Sequence, residues 1–328
     1  MLWGCGGSPH HVRPAFYHWK SSFAPAVAEY RALDSLGVKR LYVRFFDVDW
    51  SESRRMAVPV SSVVLDTTRL RGYELVPTLY LTNRTLLELP DSAVSELVQR
   101  MTLRIAQLAG PVPYREVQID CDWTARTRER YFLLLDQLRA QLAGQQVSVS
   151  ATIRLHQVKY YAETGVPPVQ RGMLMCYNMG EVRDPDTRNS IIDPGLASAY
   201  LSDLGDYPLP LDVALPVYAW GVVVREGRAV HLLHQMHRGL LADTTRFTWQ
   251  EAQQVFVKKS TYLSGYYLYA GDLIRWEEVQ RQDLEQLADL LADKWTTDTF
   301  FLTFYHLDTL TLQQHPHEEL EAILQRFR

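Results

Sequence analysis

The chain has few cysteines and no long apolar run, and each shortage excludes something. Of 328 residues only three are cysteine: Cys5, Cys121 and Cys176. That is too few for a disulfide framework, and their spacing matches no zinc motif. Cys121 and Cys176 fall inside apolar strand-like segments and read as buried core thiols. No stretch of about 18 consecutive apolar residues occurs, so no spanning helix is expected. An excess of positive charge is also missing. The net charge is −4 and the pI about 6.2, which gives no general attraction to nucleic acid. No glycine-rich loop follows the first strand-like segment, "AFYHWKSSFAP", so a nucleotide-binding doubly wound sheet is disfavoured. No flavin or metal signature is present, and no cofactor is expected.

What the chain does have is a globular composition, 47% hydrophobic and 22% charged, with eighteen tyrosines and eight tryptophans. Residues 1–14 read as a tether. Apolar strands then alternate with helical periods. Strands are expected at 15–19, 40–50, 75–83, 115–122, 147–156, 173–180, 212–221 and 300–308. Helices are expected at 26–36, 92–108, after Trp123, at 276–293 and from Pro316. Eight strands with helices between most of them imply a (β/α)8 barrel over 15–328. Residues 221–272 break the rhythm and read as an insertion after the seventh strand. It holds a hairpin about Glu226-Gly227 and a further strand at 262–272. A different count makes "GYYLYAGD" the eighth strand and 300–308 an extra.

In such a barrel the C-terminal strand ends build the site. Side chains two apart share a strand face, which pairs Asp120 with Asp122, Asp47 with Asp49, and aligns Thr152, Arg154 and His156. His18 and Trp19, Tyr80 and Asn83, Met175, Tyr177 and Asn178, Tyr218 and Trp220, and Tyr305, His306 and Asp308 end the other strands. Flat rings beside short polar groups suit a sugar. Each group also has a plainer explanation. Asp120 can pair with Arg154 as a structural ion pair. Asp47 and Asp49 can cap a loop, and Thr124 can cap the following helix. His231, His234 and His237 are spaced like one helix face, but no carboxylates match them, so a surface role is expected rather than a metal.

At these residues the sequence resembles the chitinase-like barrels of glycoside hydrolase family 18. "IDCDWT" is similar to that family's aspartate-x-aspartate-x-glutamate signature through Asp120, Asp122 and Trp123. "MLMCYNMG" resembles its methionine-x-tyrosine-aspartate stretch, with Asn178 in place of the aspartate, and "ALPVYAWG" resembles its proline-x-tyrosine-glycine stretch through Pro216 and Tyr218. The phrases "QIDCDWT", "RLHQVK" and "MCYNMG" are also similar to an uncharacterised group of lipoproteins from Bacteroidetes-type bacteria. The family resemblance implies a glycan as partner and a substrate-assisted mechanism in which the glutamate is the general acid. Here Thr124 stands at that position. A hydroxyl is no carboxylic acid, and general acid help is typically worth on the order of 10²–10⁴ in rate. Also, "LWGCGGS" resembles the end of a lipoprotein signal, with Cys5 as the lipid-bearing residue and Met1 as a late start.

The expectation is therefore a periplasmic or cell-surface lipoprotein, held to the membrane only by a lipid at Cys5. Its barrel binds a glycan without the standard cleavage. Asp120 and Asp122 would accept hydrogen bonds, with Asp47, Tyr80, Trp123, Thr124, Arg154, His156, Tyr177, Asn178, Tyr218 and Tyr305 around the sugar and Trp19 and Trp220 stacking on it. Two alternatives stay open: an active hydrolase with a relocated acid at Asp122, and a scaffold with no sugar site. If Cys5 is not processed the chain would be cytoplasmic.

Overall fold

The computed structural model describes residues 10–184 and 186–328. Cys5 and most of the expected tether lie outside them. Eight parallel strands close into a barrel: β1 His11–His18, β2 Arg40–Ser51, β3 Glu74–Leu81, β4 Glu116–Asp120, β5 Ser148–Arg154, β6 Arg171–Met175, β7 Leu211–Pro216 and β8 Thr299–Tyr305. Neighbours follow chain order, and β1 pairs with both β8 and β2. The eighth strand is thus 299–305, not "GYYLYAGD". β1 begins at His11, four residues before the expected Ala15.

The outer helices form where apolar residues recur at helical spacing. α1 is Val27–Ser35. In α2, Val94–Ala109, the residues Val94, Leu97, Val98, Met101 and Ile105 are buried against the barrel, and Gly110 ends the helix at φ 55°. In α3, Arg128–Ala143, Tyr131, Leu134, Leu138 and Leu142 form the buried stripe. α4 is Pro194–Tyr200, α5 Arg281–Ala292 and α6 His317–Gln325. No helix among the described residues is long and apolar enough to cross a membrane.

The lower barrel interior is polar and internally paired. The Tyr17 hydroxyl donates to Gln118 at 2.5 Å, and Ser150 Oγ donates to Glu116 at 2.6 Å. The Arg40 guanidinium reaches Glu116 at 2.7 Å and Glu74 at 2.6 Å. Asp212 sits 3.0 Å from Arg171 and accepts from the Phe301 amide at 2.7 Å. Burial still pushes its carboxyl up to about 7 against the pull of Arg171. These buried groups satisfy one another inside the barrel.

The segment after β7 is a small sheet of its own, larger than the expected 221–272. Its antiparallel strands run in the order Arg228–Leu233, Ala219–Arg225, Leu273–Glu278, Gln254–Val257, Phe247–Glu251. Val223, Phe247, Val255, Ile274 and Trp276 form its separate core. The expected helix at 276–293 is therefore strand up to Glu278 and helix only from Arg281. Ile274, Arg275, Trp276 and Glu277 are all buried, so both faces of this strand are covered, and a continuous buried run carries no helical or strand period that sequence could show. The Glu226-Gly227 turn is present, with both φ values positive at 50° and 73°. The expected strand at 262–272 is instead a hairpin, Thr261–Leu263 with Tyr266–Leu268. Ser264 and Gly265 turn it at φ 47° and 79°.

Candidate functional site

A cleft of about 690 Å³ opens at the C-terminal end of the barrel. That is within the size range of a ligand pocket. Its floor is made by the last inward-facing residue of several strands. Asp120 ends β4 and is 7% exposed. Its carboxylate accepts a hydrogen bond from Thr152 Oγ1 on β5 at 2.8 Å. Burial raises its pKa to about 6, and the negative charge of Asp122 adds to the rise. Arg154 and the Thr152 bond oppose it. Burial thus makes Asp120 a weaker acid than a free carboxyl group.

The pairing of acids and arginines differs from the simple expectation. Arg154 turns its Nε and Nη2 onto the two oxygens of Asp122, the latter at 3.1 Å, and makes no hydrogen bond to Asp120. The Asp122 side chain is nearly half exposed and does not line the cleft, although Arg154 does. On β2 the register slips by one residue between Arg44 and Phe46. This bulge brings Arg44 into phase with Asp47. The two pair, Nε to Oδ1 at 2.7 Å, and both line the cleft. Asp49 falls outside. It accepts from Thr82 at 2.8 Å and pairs with Arg84.

Aromatic rings form the walls. Tyr305 lies at the centre, with ring centroids 5.1 Å from Tyr177, 5.6 Å from Tyr218 and 5.8 Å from Trp19. Tyr80 and Trp220 complete the surround. Burial raises the phenol pKa values of Tyr177, Tyr218 and Tyr305, and takes that of Tyr80 to about 12. All four therefore remain protonated, and the Tyr177 hydroxyl donates to Met175 Sδ at 3.1 Å. The Tyr218 hydroxyl donates to Asn178 Oδ1 at 2.6 Å. Asn178 sits in the left-handed region at φ 56°, which asparagine tolerates better than most residues. Its amide oxygen holds that bond, and its NH₂ makes no hydrogen bond among the described residues and can donate to a ligand.

Besides Asp122, three more expected site residues stand elsewhere. Trp123 is buried in the core, stacked on Tyr131 at 5.3 Å, and its indole donates to the Thr164 carbonyl at 3.1 Å. Thr124 is exposed outside the cleft. Its hydroxyl caps no amide of α3, which begins at Arg128, but its carbonyl accepts from the Thr127 and Arg128 amides at 3.0 and 2.9 Å, and its own amide donates to Thr127 Oγ1 at 2.9 Å. His156 is exposed on the short helix Leu155–Lys159, since β5 stops at Arg154.

Several lining residues escaped sequence reasoning. Arg44 was hidden by the bulge. His234, Gln235, Met236 and His237 come from the loop that leaves the inserted sheet, and Gln314 comes from the helix after β8. Loop residues carry no period that would mark them. The histidines are not on a helix: His231 is on a strand and stacks on Tyr266 at 3.8 Å, while His234 and His237 reach the cleft. Behind the rim, Lys20 ties Asp308 at 2.7 Å to Glu29 at 3.2 Å. Beside this ion pair burial lowers the pKa of His18 to about 3 and lowers that of His306, so both rings are neutral. Among the described residues no group of three or more His, Cys, Asp or Glu could hold a metal ion.

No protein-family model matches the sequence, and no curated protein matches it. Solved structures do match. A chitinase from Chromobacterium violaceum has a TM-score of 0.56 at 12% identity, over 97% of this chain and 98% of that one. The C-terminal domain of a putative chitinase from Desulfitobacterium hafniense scores 0.61 at 12% identity, over 98% and 100%. The spore cortex-lytic enzyme SleL from Bacillus megaterium scores 0.58 at 11% identity, over 95% of this chain and 75% of that one. The chain has the fold of these chitinases. In this chitinase-like barrel Asp120 is the last residue of β4, and Asp122 and Thr124 lie just beyond it.

Proposed function

We propose that this barrel binds a glycan in the cleft above β4 and does not cleave it by the substrate-assisted route. One observation carries the reading. The cleft is open and rimmed by Trp19, Tyr80, Tyr177, Tyr218, Trp220 and Tyr305 around the polar groups of Asp47, Asp120 and Asn178, while the residue at the acid position is a threonine outside it. Aromatic faces suit the apolar face of a sugar ring, and the protonated phenols of Tyr80 and Tyr305 and the Asn178 NH₂ suit its oxygens. A scaffold without a ligand would have no use for an open cleft of this kind.

A second reading has one observation in its favour. Asp120 lies in the cleft floor, and burial raises its pKa to about 6, a direction that suits general acid catalysis. In an active hydrolase of this chain the relocated acid is then Asp120 rather than Asp122, whose two oxygens both face Arg154. The lipid anchor at Cys5 stays part of the proposal, and labelling with a fatty acid that is lost in Cys5→Ala tests it.

The test is incubation with chitin oligomers, peptidoglycan fragments and mixed polysaccharides, read by calorimetry for binding and by mass spectrometry for cleavage. Binding without product supports the first reading. Product that vanishes in Asp120→Asn supports the second. No binding to any member of the panel removes both.

A further inference from the structure

We infer that Glu277, outside the cleft, is a positioning residue that fixes Trp220 as a wall of the ligand site. This deepens the glycan reading and rests on it. Glu277 is fully buried in the inserted sheet. A buried carboxylate is costly unless its oxygens are well supplied with donors. Four donors converge on this one. Oε2 accepts from the Trp220 indole Nε1 at 2.7 Å, the Ser190 amide at 2.7 Å and the Ser190 hydroxyl at 2.5 Å. Oε1 accepts from Arg275 Nε at 2.7 Å.

The donors come from separate parts of the chain, and that decides what the carboxylate does. Arg275 shares its own strand and also donates to the carbonyls of Asp184 at 2.8 Å and Val182 at 2.9 Å. Ser190 belongs to the long loop after β6, and the neighbouring Asn189 donates to the Glu278 carbonyl at 2.9 Å. Trp220 is on the adjacent strand, where Trp220 and Glu277 are directly paired. A single carboxylate therefore joins the β6–β7 loop, the inserted sheet and a cleft-lining ring. The same loop carries Asn178, whose amide N–H donates to the Ile191 carbonyl at 2.8 Å and whose side chain holds Tyr218. Trp220 meets Tyr218 edge-on at 5.5 Å and His234 at 6.1 Å. Two sides of the cleft are thus set by the contacts of Glu277, and an indole held at its nitrogen cannot rotate away when the site is empty. Such preorganisation favours binding because less freedom is lost on ligand capture.

The experiment compares the full chain with Glu277→Gln, and with Ser190→Ala in case the first variant fails to fold. Ser190→Ala removes one donor and leaves the carboxylate in place. The Trp220 indole N–H resonance, assigned by its loss in Trp220→Phe, is read by NMR, and affinity for a chitin oligomer by calorimetry. The expected result is a shifted Trp220 resonance and at least a tenfold loss of affinity in folded Glu277→Gln, with a smaller change of the same kind in Ser190→Ala. The losses from Glu277→Gln and Trp220→Phe should not add, since both act through one contact. An unmoved resonance, or unchanged affinity in both folded variants, would overturn the inference. If the parent chain binds no glycan the parent reading fails by itself, and the resonance still reports whether Glu277 holds the ring.

Discussion

Replacing Asp120 by asparagine should stabilise the fold at neutral pH and leave it unchanged in acid. The carboxyl is 7% exposed, and burial is the largest cause of its rise from 3.8 to about 6. The folded chain therefore holds this proton longer than the unfolded chain does. Between about pH 4 and 6 the unfolded state binds fewer protons, so the contribution of Asp120 to stability falls as pH rises through that window. A rise of that size is worth about 3 kcal/mol at neutrality, at 1.36 kcal/mol per pH unit. Asparagine is nearly isosteric and keeps an oxygen for the Thr152 hydroxyl, now 2.8 Å away. Urea unfolding of both chains between pH 4 and 7.5 measures the difference. The variant should match the parent near pH 4 and exceed it by about 3 kcal/mol at pH 7.5. Asp212 titrates in the same direction but is common to both chains, so it cancels. A difference that stays flat with pH would refute the reasoning and mean that Arg154 already compensates the buried charge.

Other consequences follow from the same geometry. Trp123→Ala should cost about 3–5 kcal/mol of stability, as for a buried aromatic, while glycan affinity of the folded protein stays unchanged. Unfolding and calorimetry on one preparation separate the two effects. Tyr305→Ala should weaken oligosaccharide binding at least tenfold, because this ring packs with Trp19, Tyr177 and Tyr218 of the cleft, and titration calorimetry reads the loss directly. Asp122→Asn should cost only about 1 kcal/mol in urea unfolding, since its pair with Arg154 is partly solvated. A much larger loss would show that the pair behaves as a buried one.

The barrel was legible because each strand carries its own signal. The runs at 40–50 and 147–156 are apolar and bounded by turn residues, and the helix at 94–109 keeps a clear period. Asp120 could be placed at the cleft because two-residue alternation holds along β4. The same rule failed on β2, where the bulge moved Arg44 into the phase of Asp47 and left no trace in the sequence. It also failed beyond the strand ends. Trp123, Thr124 and His156 follow the last barrel residue of β4 or β5, where the backbone leaves the pleat and alternation no longer says which way a side chain points. The wall from 234–237 and the Glu277 contacts depend on how the inserted sheet sits against the barrel, which is a long-range property with no local period.

The most direct test of the central claim is native mass spectrometry of the full chain with a chitin hexamer, which reads complex and product in one spectrum. Binding without cleavage predicts a peak for the chain plus the intact hexamer and no shorter sugar after prolonged incubation. Shortened oligomers in that spectrum would contradict it.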